Sequence, residues 1–279
     1  MKKCRSKCSL IIGLIFMAAS LCFVLYPTVS SAVNNLFAVN TINNYTASLD
    51  SISAADKSDR LSAAVDYNNN LSELINDFTY DTDSVIDGYD DILNFGDGLI
   101  GYIDISKINV KLPIYHGDTN NVLEKGVAHL PNTAFPIGGV GNHSVLSAHT
   151  GYPTQVFFDN LNELEIGDEI KVSVLDETLT YAVTAKNIVK PDNISLLSVD
   201  DEKDLLSLIT CYPYGINSHR LIVTAERVSE TASPDTAIIT ETNNRSFDFI
   251  LLAIIAIGVT TVVTIVTIFA IRKRRKNNA

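Results

Sequence analysis

Apolar residues are arranged in four different ways along the chain. Ser9 to Tyr26 is a nearly uninterrupted apolar run behind a basic start of Lys2, Lys3, Arg5 and Lys7. Residues 33 to about 80 then place apolar side chains at helical spacing: Leu36, Val39, Ile42, Leu49 and Ile52, followed by Leu61, Val65, Leu71, Leu74, Ile75 and Phe78. That period predicts two amphipathic helices. Residues 81–98 are rich in Asp and Gly and read as loop, with a turn at Asp97-Gly98. From Leu99 the pattern shifts to short β-rich runs, which predict strands over 99–105, 108–115, 143–148, 169–175, 179–190, 205–211 and 219–226. Turn signals at His116-Gly117-Asp118, Gly138-Gly139, Gly167-Asp168 and Pro213 to Gly215 separate them. Residues 154–164 read as a short helix. This spacing of strands suits a small closed or nearly closed β-barrel.

The last apolar run, Phe249 to Ile271, carries no charge. As a helix its 23 residues would rise roughly 34 Å, enough to cross a hydrocarbon core of about 30 Å. Five basic residues follow it, Arg272, Lys273, Arg274, Arg275 and Lys276, and four precede the first run. The positive-inside rule therefore keeps both termini cytoplasmic and puts residues 27–246 outside the cell. Ser30 and Ala32 are spaced like a signal-peptidase site, so the first run is either an uncleaved anchor or a cleaved signal. The second run anchors the chain in both cases. The expected organisation is a basic start and N-terminal anchor or signal (1–32), a helical extension and loop (33–98), a β-barrel (99–227), a linker (228–246), a transmembrane helix (247–271) and a basic tail (272–279).

Charge narrows the partners. Residues 27–246 hold 12 of the 21 Lys+Arg but 31 of the 32 Asp+Glu. So acidic a body is a poor match for nucleic acid. Cysteine usage is sharper still. Cys4, Cys8 and Cys22 lie in or beside the first apolar run, which leaves Cys211 alone in the outer stretch. It has no intrachain disulfide partner there. A lone extracytoplasmic thiol is either a reactive group or a buried, inert one.

The segment LITCYPYGINSHRLIV, residues 208–223, favours reactivity. An apolar strand ends at Cys211, a Pro-Tyr-Gly turn follows, and a second strand begins near His219-Arg220. A hairpin brings Cys211 and Arg220 together at one end of a sheet. A neighbouring cation favours thiolate, and a guanidinium can hold the oxyanion formed when thiolate attacks an amide. The plainer alternative is an arginine solvating a strand edge. A cysteine nucleophile also needs a proton partner, usually histidine. Of His116, His129, His143, His149 and His219, the best placed is His149, at the end of the run SVLSA and facing a loop. His219 neighbours Arg220 and points to the opposite face of a regular strand, His143 starts the strand of His149 at its far end, and His116 and His129 lie in loops. No histidine pair has metal-ligand spacing, so neither metal nor cofactor is expected.

Three blocks in order carry a family resemblance: ISKINVKLPIYHGDTNNVLEKGVAHLPNT (105–133), GNHSVLSAHTGYPTQVFFDNLNELEIGDEI (141–170) and LITCYPYGINSHRL (208–221). Together they resemble the sortases, specifically the pilus-assembling class C enzymes, in which a TLxTC strand precedes a PYGxNxHRL segment. The resemblance covers roughly residues 99–227. It implies a mainly β, sortase-like barrel with short helices, a helical N-terminal extension and two flanking transmembrane helices. It further implies Cys211 as nucleophile, His149 as proton partner, Arg220 as oxyanion support and Thr210 as a substrate-binding residue shaping that site. The implied reaction cuts an LPxTG-like sorting signal between Thr and Gly through a thioacyl enzyme. The acyl group passes to a pilin lysine or, in other classes, to a peptidoglycan precursor. A purely hydrolytic cysteine peptidase and a non-catalytic binding module on a membrane stalk are the competing readings.

Two departures concern regulation. No proline lies between Pro27 and Pro113, so the family's Asp-Pro-aromatic lid motif is absent in its usual form, leaving Asp77-Phe78 or Asp81 to Asp83 as stand-ins. Thr150 also stands where the family often has arginine after the histidine. Finally, Leu130-Pro131-Asn132-Thr133-Ala134 reads like a sorting signal, but it falls inside the barrel and lacks a following membrane helix. It is taken as part of the enzyme and not as a substrate.

Overall fold

The computed structural model describes residues 2–74, 86–193 and 195–228. The chain divides into two compact units, Met1–Asn34 with Pro234–Ala279, and Asn35–Ser233. In the first unit the described part is helical. It belongs to α1 (Lys2–Leu49), which passes through Pro27 and continues into the second unit. From Ile15 onward α1 is long and apolar enough to cross a membrane. Its Phe16, Phe23, Val24 and Tyr26 side chains are exposed, as lipid-facing residues would be. The expected transmembrane helix at 247–271, the tail at 272–279 and all of the 228–246 linker but Val228 lie outside the described residues.

The second unit is an eight-stranded closed barrel. Its strands are β1 (Leu99–Ile105), β2 (Val110–His116), β3 (Val127–His129), β4 (Asn142–Ser147), β5 (Glu169–Val174), β6 (Glu177–Val189), β7 (Asp204–Tyr212) and β8 (His219–Arg227). They follow one another around the barrel as β1-β2-β3-β4-β7-β8-β6-β5. Only β2–β3 and β4–β7 pair in parallel. Closure leaves no open edge. Inward residues such as Ile103, Ile114, Leu146, Val172, Leu206, Leu208 and Val223 are fully buried and form one core. At Gly101 the strands come so close that a Cβ would collide with the Ser173 carbonyl, which dictates glycine there.

Seven expected strands are present within a few residues of their predicted ends. The eighth, β3, has three residues, too few for a period to be visible. The expected helix at 154–164 is only one 3-10 turn, Leu161–Glu163, because Pro153 and the Asp159 carboxylate hold the rest as loop. Residues 33–74 are helical, but with a different buried face. α2 spans Ala54–Leu74. In α1 the buried stripe is Ala38, Ile42, Tyr45 and Leu49, and Leu36 and Val39 stay exposed. In α2 it is Ala64, Tyr67, Asn68 and Leu71, and Val65 is exposed. Small alanines allow close approach, and Tyr45 and Asn68 find backbone partners that aliphatic side chains cannot. The Tyr45 hydroxyl accepts a bond from Leu175 N–H at 2.7 Å. Asn68 both accepts from Phe135 N–H (2.8 Å) and donates to its carbonyl (3.2 Å).

A buried polar knot joins residues 86–98 to the barrel. The Tyr89 hydroxyl lies 2.8 Å from His129 Nδ1 and donates to the His129 carbonyl at 2.9 Å, and it accepts from Gly117 N–H. His129 Nε2 contacts the Ala134 carbonyl at 2.9 Å. The His116 ring nitrogens contact the Gly98 and Ile92 carbonyls at 2.8 and 2.7 Å. His116 and His129 therefore sit at strand ends as structural groups, not in loops. Burial pushes the His129 pKa down to about 3, against a smaller raising effect of its bond to Ala134.

The sign of the resulting pH effect follows directly. An unfolded histidine protonates near pH 6.5, whereas native His129 stays neutral to about 3. Between those values the unfolded state binds more protons, so stability falls as pH drops below 6.5. Denaturant unfolding of the chain should show a lower midpoint at pH 5 than at pH 7.5. A midpoint that did not fall would contradict the neutral, buried His129.

Candidate active site

The site is built by register. In the parallel β4–β7 pair, Val145 lies opposite Ser207 and Ser147 opposite Ile209. The pairing continues past the end of β4, because Ala148 N–H donates to the Ile209 carbonyl at 3.1 Å. The Thr210 hydroxyl donates to the Ala148 carbonyl at 2.8 Å. Two residues beyond Ser147, His149 is therefore level with Cys211. On the other flank of β7, Cys211 is paired directly with Arg220 of β8. His149, Cys211 and Arg220 thus form one row across three adjacent chain segments.

Alternation puts this row on the outside of the barrel. Leu146, Ala148, Leu208, Leu221 and Val223 belong to the interior core. Val145, Ile209 and Ile222 belong instead to a separate apolar cluster with Leu130, Leu197 and Val189. Cys211 shares the face of Ile209, and Arg220 that of Ile222. A cavity of about 150 Å³ opens beside the row, lined by Leu130, Val189, Leu197, Ile209, Ile222 and Arg220, with Ser147, Pro191 and Asn193 completing it. Cys211 is a free thiol, partly exposed. Arg220 donates from Nη1 to the His219 carbonyl at 3.1 Å, which turns the guanidinium toward the β7–β8 turn.

The chain and its closed barrel have counterparts among known proteins. A sortase domain model matches residues 103–228. Sortase C from Clostridium perfringens with the C-terminal cell wall sorting motif is 39% identical, covering 69% of this chain and 100% of that one, with a TM-score of 0.61. Sortase C1 from Streptococcus agalactiae is 36% identical over 68% and 98% of the two chains, also at 0.61. This chain belongs to the sortase family. Sortase D of Bacillus subtilis (strain 168) is 34% identical over 132 residues, 46% of this chain and 64% of that protein. Sortase A of Bacillus anthracis is 31% identical over 134 residues, 48% and 62%. The sortase described here thus spans just under two thirds of the length of those two relatives.

In this sortase the His149 ring is half-buried. It stacks on Tyr152 with ring centroids 5.2 Å apart and meets the edge of Phe157 at 6.2 Å. The loop that follows is cinched by Asp159, whose two oxygens accept from Gly151 N–H and Phe157 N–H, both at 2.9 Å. Phe158 N–H returns to the His149 carbonyl. The exposed Tyr214 of the β7–β8 turn lies over Gly151, where a Cβ would stand 3.3 Å from its ring. Burial lowers the His149 pKa, and the nearby charges of Glu124 and Asp159 oppose that shift.

The other candidates lie elsewhere. His219 bonds Ser218 and is paired with Tyr212, one step out of the Cys211 row. His143 is buried at the far end of β4. The Thr210 side chain is buried, and its hydroxyl faces the Ala148 carbonyl. In Leu130-Pro131-Asn132-Thr133-Ala134, Leu130 lines the cavity, and buried Thr133 donates to the Leu130 carbonyl at 2.7 Å. The segment is a packed β3–β4 connection. Among the described residues, no group of three or more His, Cys, Asp or Glu is gathered to hold a metal. The cavity, Glu124 and the Asp159 clasp were not among the expected site features. Residues 190–203 carry no periodic signal that they fold over the sheet, and a carboxylate bonding backbone N–H groups leaves no motif.

Glu124→Gln removes one charge that favours the imidazolium. The His149 titration, followed by NMR of the ring, should move to lower pH in that variant. A titration unchanged or moved upward would show that Glu124 does not act on the ring.

Proposed function

We propose that this sortase is a membrane-anchored cysteine transpeptidase in which Cys211 is the nucleophile, His149 the proton carrier and Arg220 the oxyanion support. The observation that carries the reading is the single row of the three side chains, with Arg220 bordering a largely apolar cavity. The cavity takes the leading apolar residues of an LPxTG-like sorting signal and leaves its threonine carbonyl at Cys211. Attack by the thiolate forms an S–C bond, and the carbonyl oxygen takes negative charge, which Arg220 stabilises. The C–N bond to glycine then breaks, and imidazolium His149 gives its proton to the leaving amine. The thioester that remains accepts the incoming amine, whose proton returns to His149 as thiolate departs. Thr210 serves this row from behind, holding Ala148, and with it His149, against β7.

The acceptor we favour is a pilin lysine, as in class C sortases. The support is the 36–39% identity to sortase C structures that this chain covers almost end to end. A second reading, attachment to a peptidoglycan precursor, is favoured by the sequence relatives, which are a sortase D and a sortase A. The catalytic domain is proposed to lie outside the membrane with both termini cytoplasmic. The lid candidates Asp77-Phe78 and Asp81 to Asp83 lie outside the described residues.

Incubation of the full chain with a sorting peptide should give an acyl adduct in intact mass, and Cys211→Ala should give neither adduct nor cleavage. Cleavage by Cys211→Ala would exclude it as nucleophile. Arg220→Ala should lower kcat about 100-fold, the usual scale for a lost oxyanion donor. Supplying pilin and peptidoglycan amines in competition decides the acceptor. Product on the peptidoglycan amine alone would overturn the pilus reading.

A further inference from the structure

The outer face of the β4–β7–β8 sheet is layered. Nearest the mouth is the row of His149, Cys211 and Arg220. Next comes the row of Ser147, Ile209 and Ile222. Behind it is the row of Val145, Ser207 and Thr224, and His143 lies one row further on. His143 is 2% exposed. Its Nε2 lies 2.8 Å from the Ser207 hydroxyl, which in turn lies 3.1 Å from the Thr224 hydroxyl. Its Nδ1 lies 2.9 Å from the carbonyl of Ser198. Ser198 belongs to the β6–β7 connection, next to Leu197, which is 2% exposed and packs on Leu130, Val145 and Ile222 as a wall of the cavity.

We propose that His143 is a positioning residue for substrate binding: its Nδ1–H holds the Ser198 carbonyl and so keeps Leu197 and the β6–β7 connection seated over the cavity. The assignment of donor and acceptor is forced. A carbonyl can only accept, so Nδ1 carries the proton, and neutral Nε2 accepts from the Ser207 hydroxyl. Burial lowers the His143 pKa, in keeping with that neutral tautomer. Within the connection, Ser195 donates to Asn193 Oδ1 and Ser198 to the Ser195 carbonyl. Those bonds shape the turn but do not attach it to the sheet. His143 supplies an attachment from beneath, three rows from the reacting atoms, so it acts on binding and not on the chemical step. This rests on the reading that the cavity takes the sorting signal.

The test uses the full chain in detergent with three readouts. They are kinetics on an LPxTG-type peptide, alkylation of Cys211 by iodoacetamide, and hydrogen exchange of the amides of residues 195–203. His143→Phe keeps a ring of similar size but loses the donor. It should raise KM about tenfold with kcat within about twofold, the pattern of lost uniform binding. Alkylation should be unchanged and the 195–203 amides should exchange faster. His143→Asn, which keeps an N–H near the Nδ1 position, should recover most of the KM. Unchanged KM and exchange in His143→Phe would overturn the proposal. So would a fall in kcat and alkylation with normal KM. If the wild-type chain cleaves no sorting peptide yet exchange rises in His143→Phe, the functional reading fails while the anchor stands.

Discussion

The parallel pairing of β4 with β7, carried two residues beyond the end of β4, is the constraint on which the site depends. Parallel neighbours advance together, so residues at the same level share a face. Ala148 N–H on the Ile209 carbonyl and the Thr210 hydroxyl on the Ala148 carbonyl fasten that extension. A one-residue slip would turn His149 inward and put Ala148 beside Cys211. The antiparallel β7–β8 hairpin fixes the other flank, pairing Cys211 with Arg220. Chemistry at three positions distant in sequence thus reduces to two ladders that meet on one central strand.

That logic explains what could be read from sequence. Seven strands were visible as short β-rich runs, and the reactive hairpin was visible because Cys211 and Arg220 straddle one turn. His149 could be preferred by its place at a strand end, and the resemblance to sortases agreed. The helical faces were less legible. The leucines and valines that mark the helical period are partly surplus: Leu36, Val39 and Val65 remain exposed. The faces that pack are chosen by Ala38, Tyr45, Ala64 and Asn68, through fit and hydrogen bonds to the Leu175 and Phe135 backbone. No hydrophobic count contains that information. The wall of the cavity was equally hidden, because among its described residues the connection that supplies it has no secondary structure beyond the turn Ser195–Leu197.

The five histidines show how one residue type is sorted by environment. His129 and His143 are buried and held neutral, where desolvation outweighs their hydrogen bonds. His116 ties the 92–98 segment to β2. His219 caps the exposed hairpin beside Ser218. His149 alone combines partial burial, an aromatic neighbour on its face and two carboxylates near enough to oppose desolvation.

That balance bears on how the site would work. A fully buried imidazole, like that of His129, would not bind a proton at neutral pH at all. Tyr152 and Phe157 move His149 toward that state, and Glu124 and Asp159 pull it back. Burial disfavours the imidazolium that the acid step needs, and the two carboxylates restore part of it. Because Asp159 also clasps the loop through Gly151 and Phe157, one carboxylate both orients the segment and tempers the ring. Electrostatics and loop geometry at His149 are therefore coupled, and a change at Asp159 would alter both together.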